Sequence, residues 1–93
     1  MEYRVVKFQE LRKFQHQFRT ALQQVSVMDE KVTDLMKRYV RAYHLEMYIL
    51  CEHIDIRITV AENIRNIYAE FTLLKSKQVE TVFTDLFLSF KGE

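Results

Sequence analysis

The chain has no proline and no tryptophan, a single cysteine at Cys51 and a single glycine, Gly92, next to its last residue. Glycine and proline supply most of the backbone conformations of tight turns, so their scarcity argues against a fold of many hairpins and for long, uninterrupted elements. A glycine-rich phosphate loop and a nucleophile elbow both need glycine within the body of the chain, and none is there. One cysteine forms no internal disulfide, which fits a reducing compartment for a domain of this size. An excess of one charge is also missing: the formal net charge is +1, so there is no global pull toward nucleic acid or an anionic surface. Charged residues recur from Glu2 to Lys13, which leaves neither the apolar region of a cleaved signal peptide nor a membrane span. A cytoplasmic protein without membrane association is the expectation.

What is present is a foldable composition. Hydrophobic residues make up 48% and charged residues 29% of 93 positions, outside the low-hydrophobicity, high-charge regime of disorder. Residues 1–93 read as one helical domain. Phe8, Leu11, Phe14, Phe18, Leu22 and Val25 recur at intervals of three and four, with Arg12, Lys13, His16 and Arg19 between them, the pattern of an amphipathic helix. Ser26 is suited to an N-cap, and Asp29 with Glu30 to the first turn of a second helix. That helix is expected from about Val27 to about His53, with an apolar side of Val32, Leu35, Met36, Tyr39, Val40, Tyr43, Met47, Leu50 and Ile54.

Residues 53–60 alternate polar and apolar, the period of a strand, yet Ile54, Ile58 and Ala61 also share a helical face. A lone strand has only the short segment 3–6 to pair with, so helix or a helical junction is the preferred reading. Thr59 and Glu62 match a capping box for a third helix with a core face of Val60, Ile64, Ile67, Phe71 and Leu74. Lys75-Ser76-Lys77 would end it and cap a fourth helix carrying Val79, Val82, Phe83, Leu86, Phe87 and Phe90, unless the third and fourth are one continuous rod. The fold class expected is an all-α, dimeric three- or four-helix bundle with long amphipathic helices.

The dimer enters for two reasons. A helix over 27–53 is long for a compact chain near 100 residues, whose radius of gyration is about 13 Å. Tyr39, Tyr43 and Tyr48 with Met36 and Met47 also cover more than one narrow face, and such amphipathic side chains favour half-wet interfaces. An ordinary four-helix core with tyrosine tips in water is the competing reading.

Chemistry is sparse. Cys51-Glu52-His53 is the densest set of metal-ligand types, but Cys51 and His53 point about 200° apart on a helix. No metal or cofactor is expected, with Cys51 a small core residue. The segment 38–44, with Arg38, Arg41 and His44, resembles in spacing the arginine-to-histidine motif of HEPN-type helical ribonucleases, in which the basic pair acts on RNA phosphate. The resemblance spans those seven residues and departs from the motif at Tyr39, where a polar residue is usual.

Charge is uneven along the chain. Residues 1–25 carry +3 and the remainder −2. Arg12, Lys13 and Arg19 with Lys37, Arg38 and Arg41 would form a basic patch able to neutralise phosphates. A charged outer face is also what any surface helix presents. The resulting expectation is a non-enzymatic helical protein–protein interaction module: an adaptor, regulatory or assembly subunit, homodimeric or bound to a helical partner. Phe8, Phe14, Phe18, Tyr39, Tyr43 and Met47 are its interface candidates. A small nucleic-acid-binding protein using the basic face of the first helix is the alternative.

Overall fold

A computed structural model describes residues 2–92. Two helices account for nearly all of them: α1, Tyr3–His44, and α2, Tyr48–Lys91. No strand occurs among the described residues. Residue contacts divide the chain into a turn unit, Gln23–Tyr68, and a terminal unit of residues 2–22 and 69–92.

In the turn unit the two helical segments run antiparallel on either side of residues 45–47. Their mutually covered residues follow the alternating three-four spacing of a coiled-coil seam. On α1 these are Val25, Met28, Val32, Leu35, Tyr39 and Ala42; on α2 they are Cys51, Ile54, Ile58, Ala61, Arg65 and Tyr68. Met28, Leu35, Ala42, Cys51, Ile54 and Ala61 form the buried cluster. Across the seam, Arg65 Nε donates to Asp29 Oδ1 at 3.0 Å, and the Cys51 thiol lies 3.9 Å from the Tyr39 carbonyl. The small side chains Ala42, Cys51 and Ala61 leave room for the backbones to approach.

The terminal unit repeats the spacing with a more polar content. Arg4, Lys7, Leu11, Phe14, Phe18 and Ala21 of α1 are covered, as are Thr72, Lys75, Val79, Val82, Leu86 and Ser89 of α2. Arg4 donates from Nε to Ser89 Oγ at 3.0 Å and from Nη2 to the Ser89 carbonyl at 2.9 Å, with its guanidinium 4.1 Å from the centre of the Phe90 ring. The Lys75 ammonium lies between two rings, 5.2 Å from the centre of Phe14 and 5.1 Å from that of Phe71.

The turn forms without glycine. Glu46 N–H donates to the Tyr43 carbonyl at 3.0 Å, and Met47 N–H to the Ala42 carbonyl at 2.9 Å. This pair of bonds is a Schellman motif, which satisfies carbonyls left over at the helix end. The residue it forces into left-handed backbone is Glu46, at φ 58°.

Several sequence expectations need correction. There are two helices, not three or four. No break falls at Ser26, because the seam spacing continues through Val25, Met28 and Val32 and nothing there obstructs the helix; Asp29 serves Arg65 instead of a helix start. The true break lies at 45–47, inside the helix expected over 27–53. Residues 53–60 are helical, the reading preferred from sequence, with Ile54 buried and Ile56 exposed. Thr59 Oγ1 donates to the Asp55 carbonyl one turn back at 3.1 Å, the bond of a mid-helix hydroxyl and not of a cap. Ser76 likewise lies within α2, where the expected third and fourth helices are one continuous rod, the alternative the sequence left open. The face Val60, Ile64, Ile67, Phe71 and Leu74 is exposed, while the seam runs through Ala61, Arg65, Tyr68, Thr72 and Lys75.

Candidate partner-binding grooves

A two-helix seam covers one stripe per helix, and the remaining apolar residues are left in water. Nine apolar side chains are buried among the described residues, whereas twenty-five large ones are exposed. In the turn unit many of the latter line two grooves on opposite flanks of the seam.

The first groove has two contiguous clefts, of about 380 and 310 Å³, which share Leu35, Arg38 and Arg57. Its floor is apolar: Met28, Leu35, Val60 and Ile64 in one cleft, and Leu45, Met47, Leu50 and Ile54 in the other. Its rim is basic, with Lys31, Arg38, Arg41 and Arg57 against one carboxylate, Asp34, which is 3.0 Å from Arg38. Lys31, Arg41 and Arg57 make no ion pair among the described residues. The cations stand at the groove because Lys31, Arg38 and Arg57 each come directly before a seam residue (Val32, Tyr39 and Ile58).

The second groove, about 450 Å³, is lined by Met36, Tyr39, Val40 and Ile58, with Asp55 and Glu62 as its charged residues. Asp55 and Glu62 directly follow the seam residues Ile54 and Ala61, which puts them on the flank opposite Arg57. One side of the unit is therefore apolar with cations, the other apolar with carboxylates.

The interface candidates distribute as follows. Tyr39 is half-buried against the turn-unit core. Tyr43 is exposed, its ring edge-on to Tyr48 at 6.0 Å, and Met47 is exposed and lines the basic groove. Phe14 and Phe18 are half-buried in the terminal-unit seam, and exposed Phe8 stands 6.4 Å from Phe90. Of the basic candidates, Arg12, Lys13 and Arg19 are exposed in the terminal unit, and Lys37, Arg38 and Arg41 are exposed in the turn unit. Arg38 and Arg41 reach the groove, whereas Lys37 does not line it. Sequence reasoning passed over Lys31, Arg57 and Asp55 as groove residues and read Glu62 as part of a helix cap. The signal for Lys31, Asp55 and Glu62 was a seven-residue interval within each sign, Lys31 to Arg38 and Asp55 to Glu62; Arg57 had none.

Arg38 and His44 project about 120° apart around α1, since six residues turn an α-helix through about 600°. Arg38 is engaged by Asp34, and His44 lies edge-on to Tyr43. Among the described residues no group of three or more His, Cys, Asp and Glu is placed to hold a metal ion, and Glu52 and His53 are exposed beside buried Cys51. Among the described residues no helix is long and apolar enough to cross a membrane.

In the terminal unit, Lys7 lies 3.6 Å from Glu10 and 3.5 Å from Asp85. Desolvation acts to lower its pKa, but the combined attraction of Glu10, Tyr3 and Asp85 outweighs it and holds the ammonium above the usual lysine value. The carbonyl oxygens of Gln17 and Gln78 are buried there without a hydrogen-bond partner among the described residues. No family model, curated protein or solved structure matches this chain.

Proposed function

We propose that this chain is a helical protein–protein interaction module, an adaptor or assembly subunit and not an enzyme, whose turn unit takes a partner helix along the flanks of its seam. The observation that carries this reading is the basic-rimmed groove, where Val60, Ile64, Leu45, Met47 and Leu50 remain exposed on both sides of Leu35. Contiguous apolar surface edged by polar residues is the usual mark of a binding surface. Side chains of the types that dominate binding energy in such surfaces are present in each: Met28, Met47, Arg38, Arg41 and Arg57 in the basic groove, Met36 and Tyr39 in the other. The chemistry asked of the site is burial of apolar helix faces, with charge setting orientation and partner choice.

A photo-crosslinking amino acid placed at Ile64, and separately at Lys37 as a control outside the groove, tests this in cells that make the protein. Crosslinking to a protein at Ile64 in clear excess over Lys37 is the expected result. Equal or absent crosslinking at both positions would overturn the assignment.

A further inference from the structure

We infer that the occupant of the basic groove is a second copy of this chain, seated through its acidic groove so that the contact runs head to tail. The inference rests on the reading that these grooves take a helical partner, and it names that partner. Lys31 and Arg38 are seven residues apart on α1, and Asp55 and Glu62 are seven apart on α2. Seven residues are two turns, about 10.5 Å, and bring both members of each pair to the same helix face. An α2 laid along the basic groove therefore meets two cations at the spacing of its own two carboxylates.

The uncharged parts also suit each other. Leu35, Val60 and Ile64 on one side face Met36, Val40 and Ile58 on the other, so apolar floor covers apolar floor. Docking the basic groove on itself would instead set Lys31, Arg38, Arg41 and Arg57 against their own copies, with Asp34 already engaged by Arg38. Like charges in contact disfavour that two-fold arrangement. Net charge of +1 means that the copies as wholes barely repel. A contact between unlike faces leaves each copy with one groove still open, so assembly continues until a ring closes or grows as a filament.

Solution mass by light scattering decides the matter, using the full chain and two charge-reversed variants, Lys31→Glu with Arg38→Glu and Asp55→Lys with Glu62→Lys. The wild-type chain should grow beyond a dimer as concentration rises, and shrink as salt is added. Each variant alone should stay monomeric, having lost one face. An equimolar mixture should associate again and grow as the wild-type chain does, because the intact basic groove of one variant meets the intact acidic groove of the other and their two reversed faces again carry opposite charges. All four sites are exposed, and far-ultraviolet circular dichroism checks that the helices persist. Should a reversed chain unfold, its neutral counterpart, Lys31→Gln with Arg38→Gln or Asp55→Asn with Glu62→Gln, replaces it, with association at least about tenfold weaker expected. A wild-type chain monomeric throughout, an association the substitutions leave unchanged, or a mixture that does not associate would each overturn the proposal. Crosslinking at Ile64 to a different protein, with a monomeric wild-type chain, would defeat the second-copy assignment while leaving the interaction-module reading intact.

Discussion

Met47 N–H reaches back to the carbonyl of Ala42 at 2.9 Å, and this bond can close only because the intervening Glu46 adopts a φ of 58°. Left-handed backbone costs a non-glycine residue about 1–2 kcal/mol. Glycine removes that cost but loses about 0.5–1 kcal/mol of chain entropy on folding. Glu46→Gly should therefore stabilise the protein by about 0.5–1 kcal/mol, a rise of a few degrees in melting temperature. Glu46→Val should lower stability, since a β-branched side chain tolerates this backbone worst. Thermal melts followed by circular dichroism check both.

Leu35 and Ile64 separate stability from binding. Leu35 is 5% exposed within the core cluster, and Ile64 is 37% exposed on the groove wall. Leu35→Ala should cost about 2–4 kcal/mol of folding stability through lost burial and a residual cavity. Ile64→Ala should cost less than about 1 kcal/mol of folding stability and show its main effect on association. Urea denaturation of the two variants at low protein concentration makes the comparison.

The pairing of Lys7 with Asp85 gives an alkaline signature. Against desolvation, the attraction of Glu10, Tyr3 and Asp85 together raises the Lys7 pKa, so that attraction contributes its full stability below the usual value of 10.5 and loses it as pH climbs through the folded value. Asp85→Asn should thus be less stable than wild type near neutral pH, with the gap narrowing above about pH 10.5. A gap unchanged through that range would show that Asp85 acts through something other than the charge of Lys7.

Among the described residues, the side-chain carbonyl oxygens of Gln17 and Gln78 are buried without partners. An unsatisfied buried polar group costs about 1–3 kcal/mol, so Gln78→Leu should raise stability by about 1 kcal/mol. Loss of stability in that variant would mean that water or the other glutamine satisfies the amide in solution.

The helical class was legible in the spacing, and so was the scarcity of turns. The choice of face was not. Leu22 carries more apolar surface than its neighbour Ala21, yet Ala21 is 3% exposed and Leu22 49%. Likewise the stripe through Val60, Ile64 and Ile67 looks more core-like than Ala61, Arg65 and Tyr68, which are the seam. Hydrophobicity ranks residues by their wish to leave water, whereas a two-helix seam selects those whose small size or long flexible stems permit close approach. The turn was hidden for a related reason: backbone hydrogen bonds close it, and Glu46 carries no side-chain signal for left-handed geometry. Arg38, Arg41 and Met47 of the grooves were singled out from sequence, but Arg57 and Glu62 acquire meaning only once the seam shows which flank each occupies.

The Asp29–Arg65 pair has a further consequence for how the chain finds its register. A seam that repeats every seven residues offers near-equivalent alignments, one heptad to either side of the native one. Sliding α2 by one heptad along α1 would bring Arg65 toward Leu35 and Met36, or toward Ala21 and Leu22, where no carboxylate stands in the place of Asp29. The misaligned hairpins would forgo this ion pair, whose partly exposed groups contribute at most about 1 kcal/mol. One ion pair of modest strength thus tilts the choice among similar alignments toward the native one, acting with the turn at 45–47, whose hydrogen bonds a slipped hairpin would have to break.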